Sequence, residues 1–210
     1  MKTWSMVLAL VLTGWVAATA ADVPIVDEEP GEFKAKDLSF ESRVEVEATC
    51  KEAFKTLTEF GRLQKLVPHL HGKAKVAAAK DPGDTLSYEF ERTDGTKNTG
   101  RMILTTLETD HRVQILVQPD EGPWLRVQEF KLYAPAGGEK KSSSCHIAYE
   151  ETYNPKPLRN AAYDMKEIIE QVRAPYMEII LRRLKNISEG EEAGPKAETE
   201  KLREIAKHFP

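Results

Sequence analysis

The order of the periodic segments constrains the fold more than any other feature of this sequence. Between residues 40 and 186 there is one strand-like segment, a capped helical stretch, a series of alternating segments separated by Gly, Pro and Asp turns, and one long amphipathic helix. A helix that follows an antiparallel meander buries its apolar stripe on one face of the sheet, and the space between them is often a cavity. The order therefore predicts an α+β fold whose function depends on that cavity.

Seven segments show the two-residue period of β-strands. In the first, Phe40, Val44 and Val46 alternate with charged residues, as in a strand with one solvated face. Asp94-Gly95 is typical of a tight hairpin turn, and 81–84 also has turn chemistry. The predicted strands are 40–48, 73–80, 85–92, 99–107, 111–118, 124–134 and 143–153.

The first of two predicted helical regions follows the first strand. Thr49 and Glu52 have the spacing of a capping box, and apolar residues follow at helical intervals as far as Val67. Gly61 is expected to split this stretch into two short helices, and Pro68 to mark its end.

The last element is a long helix predicted over 158–186. Its apolar residues recur at steps of three and four, as in a helix that is buried along one stripe. Pro175 is expected to kink this helix, because an interior proline removes a hydrogen bond and clashes with the preceding turn.

Length and composition indicate one domain with additional segments at both ends. The chain has 210 residues and 40% hydrophobic content, enough for one ordinary core. Residues 1–20 have the pattern of a signal peptide: Lys2, an apolar run and the A-x-A site that ends at Ala20. An uncleaved membrane anchor is the less favoured interpretation, since the run is short for a bilayer span. The expected division is signal peptide 1–20, flexible lead 21–37, domain 38–188 and C-terminal segment 189–210.

The charge balance argues against a nucleic-acid partner. Removal of Lys2 with the leader changes the formal net charge from −4 to −5, and the basic runs at 140–141 and 182–183 are short. Neutralising phosphates requires a concentrated basic face. The tail 189–200 is charged and typical of a linker, whereas Leu202, Ile205, Ala206 and Phe209 suggest a short amphipathic segment that either docks back or stays loose. No stable membrane span is expected after leader removal.

Known catalytic and cofactor motifs are absent from the sequence. It has no Gly-rich phosphate loop and no G-x-S-x-G, so no cofactor and no catalytic residue are assigned. His69 and His71 form the one candidate metal pair, but zinc needs further ligands and a polar loop is the simpler interpretation. Glu150 and Glu151 look like an acid/base pair, yet neighbours in a strand point to opposite faces, so at most one reaches a cavity.

The order of elements resembles the START-like (SRPBCC) superfamily of helix-grip proteins. Residues 44–49 continuing into 52–58, the closing Leu66-Val67-Pro68, the strands 124–135 and 147–155 and the helix 158–186 resemble the family's elements over about 150 residues. Within the superfamily, the sequence is similar in its pattern of segments to the bacterial polyketide cyclase/dehydrase and coenzyme Q-binding branch. The resemblance implies a curved seven-stranded antiparallel sheet around a long C-terminal helix, with two short helices between strands one and two.

The resemblance also implies a pairing for the two cysteines. Cys50 follows the first strand and Cys145 begins the last, and in helix-grip folds these strands are antiparallel neighbours. Opposed residues in such a pair lie within disulfide range, and an oxidising compartment would close the bond. Two buried free thiols remain the alternative, since Cys50 can already belong to the helix.

Aromatic and helix residues provide the candidate lining of the cavity. Simple core packing is an alternative for each of them, although a buried Tyr hydroxyl needs a partner and is suited to orienting a polar group of a ligand. The predicted ligand-binding residues are Tyr88, Phe90, Trp124, Tyr149, Met165, Ile168, Ile169, Val172 and Tyr176.

Two classes of function fit these features. The first is binding or transport of a hydrophobic small molecule (a lipid, sterol, quinone or polyketide-like compound) by a secreted or periplasmic protein. The second is a cyclase- or hydratase-like enzyme that holds a polyketide-type chain while polar groups move protons. An inward cluster of His, Asp, Glu or Arg would favour the enzyme, and an apolar lining with one or two hydroxyls the carrier. A filled interior would indicate a degenerate domain that only provides a binding surface.

Overall fold

The computed structural model describes residues 34–36, 39–68, 80–120, 125–135, 143–153 and 165–208. All strands belong to one antiparallel sheet with the order β1-β2-β7-β6-β5-β4-β3. The strands are β1 Lys34–Lys36, β2 Ser39–Val46, β3 Thr85–Glu91, β4 Lys97–Glu108, β5 Arg112–Pro119, β6 Arg126–Tyr133 and β7 Cys145–Tyr153.

Helices cover one face of this sheet. The last long helix follows all the strands and packs on α1, α2 and β2. The helices are α1 Cys50–Thr58, α2 Phe60–Leu66, α3 Met165–Ile168, a π-helical turn Ile169–Arg173, α4 Ala174–Ser188 and α5 Lys196–Ala206. The segment 165–188, called the long helix below, is continuous through α3, the π-helical turn and α4.

The predicted α+β architecture, with an antiparallel sheet and one long C-terminal helix, is confirmed. Six of the seven predicted strands correspond to β2–β7, and the hairpin turn at Asp94-Gly95 is present, with Gly95 at φ 78°. The predicted strand 73–80 lies outside the described residues except for Lys80. The remaining observed strand, β1, lies within the range expected to be a flexible lead.

The break between α1 and α2 differs from its prediction. Thr49 caps α1 as expected, accepting a hydrogen bond from the Glu52 backbone N–H at 3.3 Å. The helices separate at Glu59, whereas Gly61 lies within α2. The hydroxyl of Thr58 donates to the Phe54 carbonyl one turn back, a contact that bends helices, and this places the break ahead of the glycine.

Next to Pro175 the hydrogen-bonding pattern of the long helix changes, although the helix continues. The preceding residues form the π-helical turn, in which the Ala174 N–H donates to the carbonyl of Ile169, five residues back. Proline has no N–H to donate, and a local π-type turn is one way in which a helix accommodates such a gap. The turn ends at Arg173, which lies in the cavity described below.

The predicted disulfide is present. Cys50 at the start of α1 is bonded to Cys145 at the start of β7, with their Cα atoms 4.9 Å apart. Strands β2 and β7 are antiparallel neighbours, and Val46 lies opposite Cys145. A loop of this length contributes up to about 4–5 kcal/mol by limiting the unfolded chain.

The C-terminal segment docks on the domain. Helix α5 begins at Lys196, inside the range predicted as a linker, and buries Leu202 and Ala206 completely. Arg183 of α4 connects three elements: it donates to the carbonyls of Lys65 and Leu66 at 2.5 and 3.1 Å, and to the Thr199 hydroxyl at 3.1 Å. Its guanidinium thereby caps the C-terminus of α2, where carbonyls lack helical partners.

The hydrophobic core lies between the sheet and the helices. It includes Phe40, Leu57, Leu104, Val113 and Leu184, all fully buried. In the described part of the chain, none of the helices is long and apolar enough to cross a membrane.

Candidate functional site

A cavity lies between the sheet and the helices. Its volume is about 40 Å³. Because one water molecule takes up roughly 10–15 Å³ of such a volume, the cavity has room for about three waters. A larger ligand therefore has to displace part of the wall.

Apolar side chains make most of this wall. The helices α1 and α2 and the residue after them supply Leu57, Leu63, Leu66 and Val67, the sheet supplies Met102, Ile115, Val117 and Phe130, and the long helix supplies Met177 and Ile180.

Five polar side chains complete the lining: Tyr88, Arg126, Gln128, Arg173 and Tyr176. Among the described residues, the charged groups in the lining are therefore two guanidinium groups. A lining of apolar residues with a few convergent polar groups is typical of small-molecule sites.

A buried carboxylate holds the polar groups in place. Arg173 binds Glu151 through two parallel hydrogen bonds, Nε to Oε1 at 3.0 Å and Nη2 to Oε2 at 2.7 Å. Glu151 is completely buried and Arg173 is 2% exposed. Such a bidentate pair fixes the plane of the guanidinium group, so Arg173 presents a defined edge to the cavity.

Three further donors bind the same carboxylate. The hydroxyls of Tyr149 and Tyr153 donate to its two oxygens, and Gln128 Nε2 donates to Oε2 at 2.9 Å. Arg126 lies farther away, with its Nε 3.9 Å from Oε1. Every oxygen of the buried charge is thus satisfied, as a buried carboxylate requires.

The strand register explains why these residues meet. Tyr149, Glu151 and Tyr153 alternate along β7 and so share one face. On β6, Phe130 lies opposite Tyr149, Gln128 opposite Glu151, and Arg126 opposite Tyr153. The long helix then brings Arg173 onto this face, and its guanidinium carbon lies 5.0 Å from the centre of the Tyr176 ring.

Glu151 and Arg173 are both charged in the folded protein. Burial by itself would raise the pKa of Glu151, but the positive charges of Arg173 and Arg126, together with hydrogen bonds from Arg173 and Tyr149, lower its pKa to about 2. Burial also opposes the charge of Arg173, yet Glu151 raises the pKa of that guanidinium well above its usual value. The pair therefore stays charged at neutral pH.

The tyrosines remain neutral donors. Burial is the main cause that raises the pKa of Tyr88, Tyr149, Tyr153 and Tyr176, and for Tyr149 and Tyr153 the Glu151 charge adds to it. None of these four hydroxyls is suited to act as a base near neutral pH.

Gly100 leaves room for the ring of Tyr88. The two residues lie opposite each other on β4 and β3. A Cβ added to Gly100 would lie 2.5 Å from the Tyr88 hydroxyl oxygen and 2.5 Å from the Gln118 carbonyl oxygen. The glycine is thus needed for close approach, and it positions the tyrosine at the cavity.

The structure places the predicted site residues in different surroundings. Tyr88 and Tyr176 line the cavity. Tyr149 does not line it: its ring packs between Phe40 and Phe130, with centroids 5.8 and 4.8 Å away, and its hydroxyl is held by Glu151.

The helix stripe that faces the cavity also differs from the predicted one. Ile168, Ile169 and Val172 lie outside the lining. Arg173 and Met177 line the cavity in their place. The prediction followed apolar residues only, and the π-helical turn shifts the helix face just before α4. Trp124 and the side chains of Phe90 and Met165 lie outside what the structure describes.

Sequence reasoning missed Arg126, Gln128, Glu151 and Arg173 as a group. One signal was available for Glu151, because it shares the alternation of Tyr149 and Tyr153, and the expectation that at most one of the two glutamates faces inward is consistent with this. Arg173 precedes Tyr176 and Met177 by one helical turn, so its charge occupies a position in the buried stripe.

In the described residues there is no group of three or more His, Cys, Asp or Glu that could hold a metal ion. His69 and His71 lie outside the described ranges.

Comparisons with known proteins support the fold alone. No protein-family model matches this sequence, and no curated protein matches it. A solved structure of an Arthrobacter aurescens protein is similar with a TM-score of 0.57 at 15% identity, covering 78% of this chain and 94% of that one. A Chromobacterium violaceum protein has a TM-score of 0.53 at 13% identity, covering 73% and 99%. A protein of the dynemicin biosynthetic locus has a TM-score of 0.51 at 12% identity, covering 76% of this chain and 51% of that one.

Proposed function

We propose that this protein is an exported START-like domain of the helix-grip type that binds a hydrophobic small molecule in the cavity between its sheet and its long helix. The observation that carries the proposal is the cavity itself, lined mostly by apolar side chains and by five polar ones. Such a composition suits a ligand with a hydrocarbon body, because burying apolar surface supplies affinity and the polar groups supply orientation.

The order of elements supports the family assignment. Two short helices follow the second strand, five further strands complete the antiparallel sheet, and the long helix packs across it. Two of the similar solved structures, from Arthrobacter aurescens and Chromobacterium violaceum, are matched over nearly the whole of their own chains and most of this one, which supports a shared fold. Fold similarity at this level of identity says nothing about the ligand.

The disulfide supports export. Structural disulfides persist in oxidising compartments and are rare in the cytosol, and Cys50 is bonded to Cys145. The leader at 1–20 supplies the route, with cleavage after Ala20 and secretion or release into a periplasm. Two measurements test this: N-terminal sequencing of protein from its native source should begin at Ala21, and thiol titration of unfolded, unreduced protein should find no free thiol. Intact Met1 on a membrane-bound form, or two free thiols, would contradict it.

A matched pair of variants tests the binding proposal. Val117 lines the cavity, whereas Val113 lies four residues earlier on the same strand and face, buried in the core outside the lining. Val117→Phe puts a phenyl ring into the cavity, and Val113→Phe introduces the same overpacking elsewhere, at a cost of about 1–3 kcal/mol.

The readout is the melting temperature of each folded variant with fatty acids, sterols, quinones and polyketide-like compounds. Ligands that raise the melting temperature of the wild type by mass action should do so for Val113→Phe and not for Val117→Phe. The proposal fails if no compound in these classes stabilises the wild type, or if Val117→Phe responds as fully as Val113→Phe.

The cluster of Arg126 and Arg173 at the cavity favours the second candidate, a cyclase- or hydratase-like enzyme, because inward-facing charged groups are the feature expected of that class. Glu151 holds Arg173 in a fixed orientation, and the two guanidinium groups would stabilise an oxyanion or enolate that forms during the reaction. The buried carboxylate is a poor general base, since Arg173 holds it and its pKa is about 2. Turnover of a poly-β-keto compound that is lost in folded Arg126→Gln would establish the enzyme, and unchanged substrate would leave the carrier.

A further inference from the structure

One wall of the cavity is a short helix that is held differently at its two ends. Helix α2 supplies Leu63 and Leu66 to the lining. Its N-terminus meets α1 at Glu59, whose backbone is extended (φ −80°, ψ 112°) rather than helical. At its C-terminus, Arg183 binds the carbonyls of Lys65 and Leu66. Helix α2 therefore has a junction suited to act as a hinge at one end and side-chain hydrogen bonds that hold it at the other.

The other walls are fixed more firmly. Strands β4, β5 and β6 carry the sheet side of the lining, and each of them is paired with a neighbour on both edges. The long helix is held by the bidentate contact of Arg173 with Glu151. It is also held by the Ser188 hydroxyl, which donates to the Thr56 hydroxyl of α1 at 3.2 Å, and α1 itself is attached to β7 through Cys50. Since a larger ligand has to displace part of the wall, α2 is the part that moves most easily.

The C-terminal helix α5 binds the same arginine. Nη1 of Arg183 donates to the Thr199 hydroxyl at 3.1 Å, and Leu202 is completely buried where α5 docks. Burial lowers the pKa of Arg183, and the charge of Glu198 on α5 opposes this effect. One guanidinium group therefore connects α2 to α5 while α5 is docked. When α5 leaves, Arg183 loses both the Thr199 hydroxyl and the Glu198 charge.

We infer that α5 is a latch for the ligand cavity: docked α5 holds Arg183 on the C-terminal carbonyls of α2, and release of this contact lets α2 turn outward about Glu59 to admit a ligand. This inference rests on the proposed binding function and adds a means of regulating the same cavity. The guanidinium group is planar and rigid, so its contacts with α2 and with Thr199 are geometrically linked. A change that undocks α5 raises the fraction of molecules with an open cavity, and a ligand that needs the open form binds in proportion to that fraction.

The first test measures amide exchange and needs no ligand. Thr199→Val removes the hydrogen bond between α5 and Arg183 while keeping the shape of the side chain. Loss of one hydrogen bond from a charged donor predicts about tenfold faster exchange in α5. Through the latch, the same acceleration is expected at Val67, whose N–H donates to the Leu63 carbonyl at the end of α2. Exchange at Ala53, in the disulfide-bonded α1, should stay unchanged.

Thr105→Val is the matched control. The Thr105 hydroxyl is exposed on β4, donates to the Gln114 side chain at 3.0 Å and lies outside the cavity lining. Thr105→Val should therefore leave exchange in α2 and α5 as it is in the wild type. Acceleration confined to α5 in Thr199→Val, or equal acceleration throughout α1, would overturn the latch.

The second test measures ligand entry with phenylnaphthylamine, a neutral apolar fluorescent dye, mixed rapidly with the mature protein. Thr199→Val should bind the dye about tenfold faster and more tightly than the wild type, because its open form is more populated. Thr105→Val should bind the dye as the wild type does. Val117→Phe should abolish the signal, since its phenyl ring occupies the cavity.

The outcomes separate the latch from the binding function. Equal rates in the wild type and Thr199→Val, with binding that Val117→Phe abolishes, overturn the latch and leave the binding function in place. Binding that persists fully in Val117→Phe contradicts the cavity as the site. If neither the dye nor the broader panel of compounds binds the wild type or Thr199→Val, the binding function itself is overturned.

Discussion

Two buried arginines of the long helix, Arg173 and Arg183, bind different kinds of partner: one a charged carboxylate, the other neutral oxygen atoms. Arg173 is 2% exposed and Arg183 is 4% exposed, so both guanidinium groups are removed from water. Arg173 binds a carboxylate and lines the cavity, whereas Arg183 binds two backbone carbonyls of α2 and a threonine of α5. Glu198 is near Arg183, but it is hydrogen-bonded to Arg182.

The pKa directions reflect this difference. The charge of Glu151 outweighs the effect of burial and raises the pKa of Arg173, whereas burial prevails at Arg183 and lowers its pKa despite Glu198. One arginine therefore belongs to a charged pair whose members depend on each other. The other uses its N–H groups to join helices, and its charge is balanced by backbone dipoles and by Glu198, a carboxylate that also binds Arg182.

The largest effect is expected for removal of Arg173. Arg173→Met leaves Glu151 buried without its cation, which should reduce the free energy of unfolding by about 3–5 kcal/mol. The double variant Arg173→Met with Glu151→Leu removes both charges and should recover much of this loss. Chemical denaturation measures all three proteins. A double variant as unstable as the single one would show that the charge pair is not the cause.

Acidification should act on the same pair. The pKa of Glu151 is lowered from about 4.5 to about 2 in the folded protein, so the native state binds fewer protons than the unfolded state between these values. The resulting stabilisation is complete above about pH 5 and is lost as the pH falls towards 2, and it amounts to about 3 kcal/mol. The measurement is the free energy of unfolding against pH, in which Glu151→Gln should have a flatter curve. Equal slopes would contradict the assignment.

A smaller effect is expected for Arg183, and it should be local. Arg183→Met removes three hydrogen bonds made by a charged donor, and we expect a loss of about 2–3 kcal/mol. Amide exchange in α5 and at the end of α2 should accelerate, whereas the dependence of stability on acid pH should remain that of the wild type. An altered acid dependence would remove the distinction between the two arginines.

The smallest effect is expected for the neighbouring arginine. Arg182 is exposed and binds Glu198 at 2.7 Å, and exposed ion pairs contribute less than about 1 kcal/mol. Arg182→Gln should therefore change neither the denaturation midpoint appreciably nor exchange in α5. If it loosens α5 as much as Arg183→Met, then Glu198 and not the backbone contacts holds that helix.

The same contrast explains what the sequence could predict. Alternation and helical spacing identify β2–β7 and the long helix because those patterns follow apolar residues. The pairing of Cys50 with Cys145 came from the resemblance to helix-grip proteins, in which the first and last strands are neighbours, and the residues themselves left two free thiols as the alternative. Arg173 was missed because the buried stripe of a helix is predicted from its apolar residues alone. A buried cation depends on a partner, here Glu151, that is distant in the chain. The register of β6 and β7 brings that partner into place, and no local pattern encodes it.

The sequence leaves the docking of the C-terminal helix open for a related reason. The few apolar residues of this segment give only a weak helical period, which fits a docked segment and a loose one equally. What fixes it is the contact of Thr199 with Arg183, again between residues whose pairing is visible only in three dimensions. By contrast, the break at Glu59 depends on side-chain hydrogen bonds within one turn, so a closer inspection of Thr56 and Thr58 could have indicated it.

The Cys50–Cys145 bond divides the molecule mechanically. When the protein is pulled from its ends, the chain between the two cysteines, which are 95 positions apart, cannot extend. At roughly 3.3–3.6 Å per residue, about 300 Å of chain length is therefore unavailable for stretching until the bond is reduced. That span contains α1, α2 and strands β3–β6, which form most of the cavity wall, whereas the long helix lies outside it. Under tension the long helix can therefore be pulled away while the covalent ring still limits how far the segment that forms most of the wall can extend.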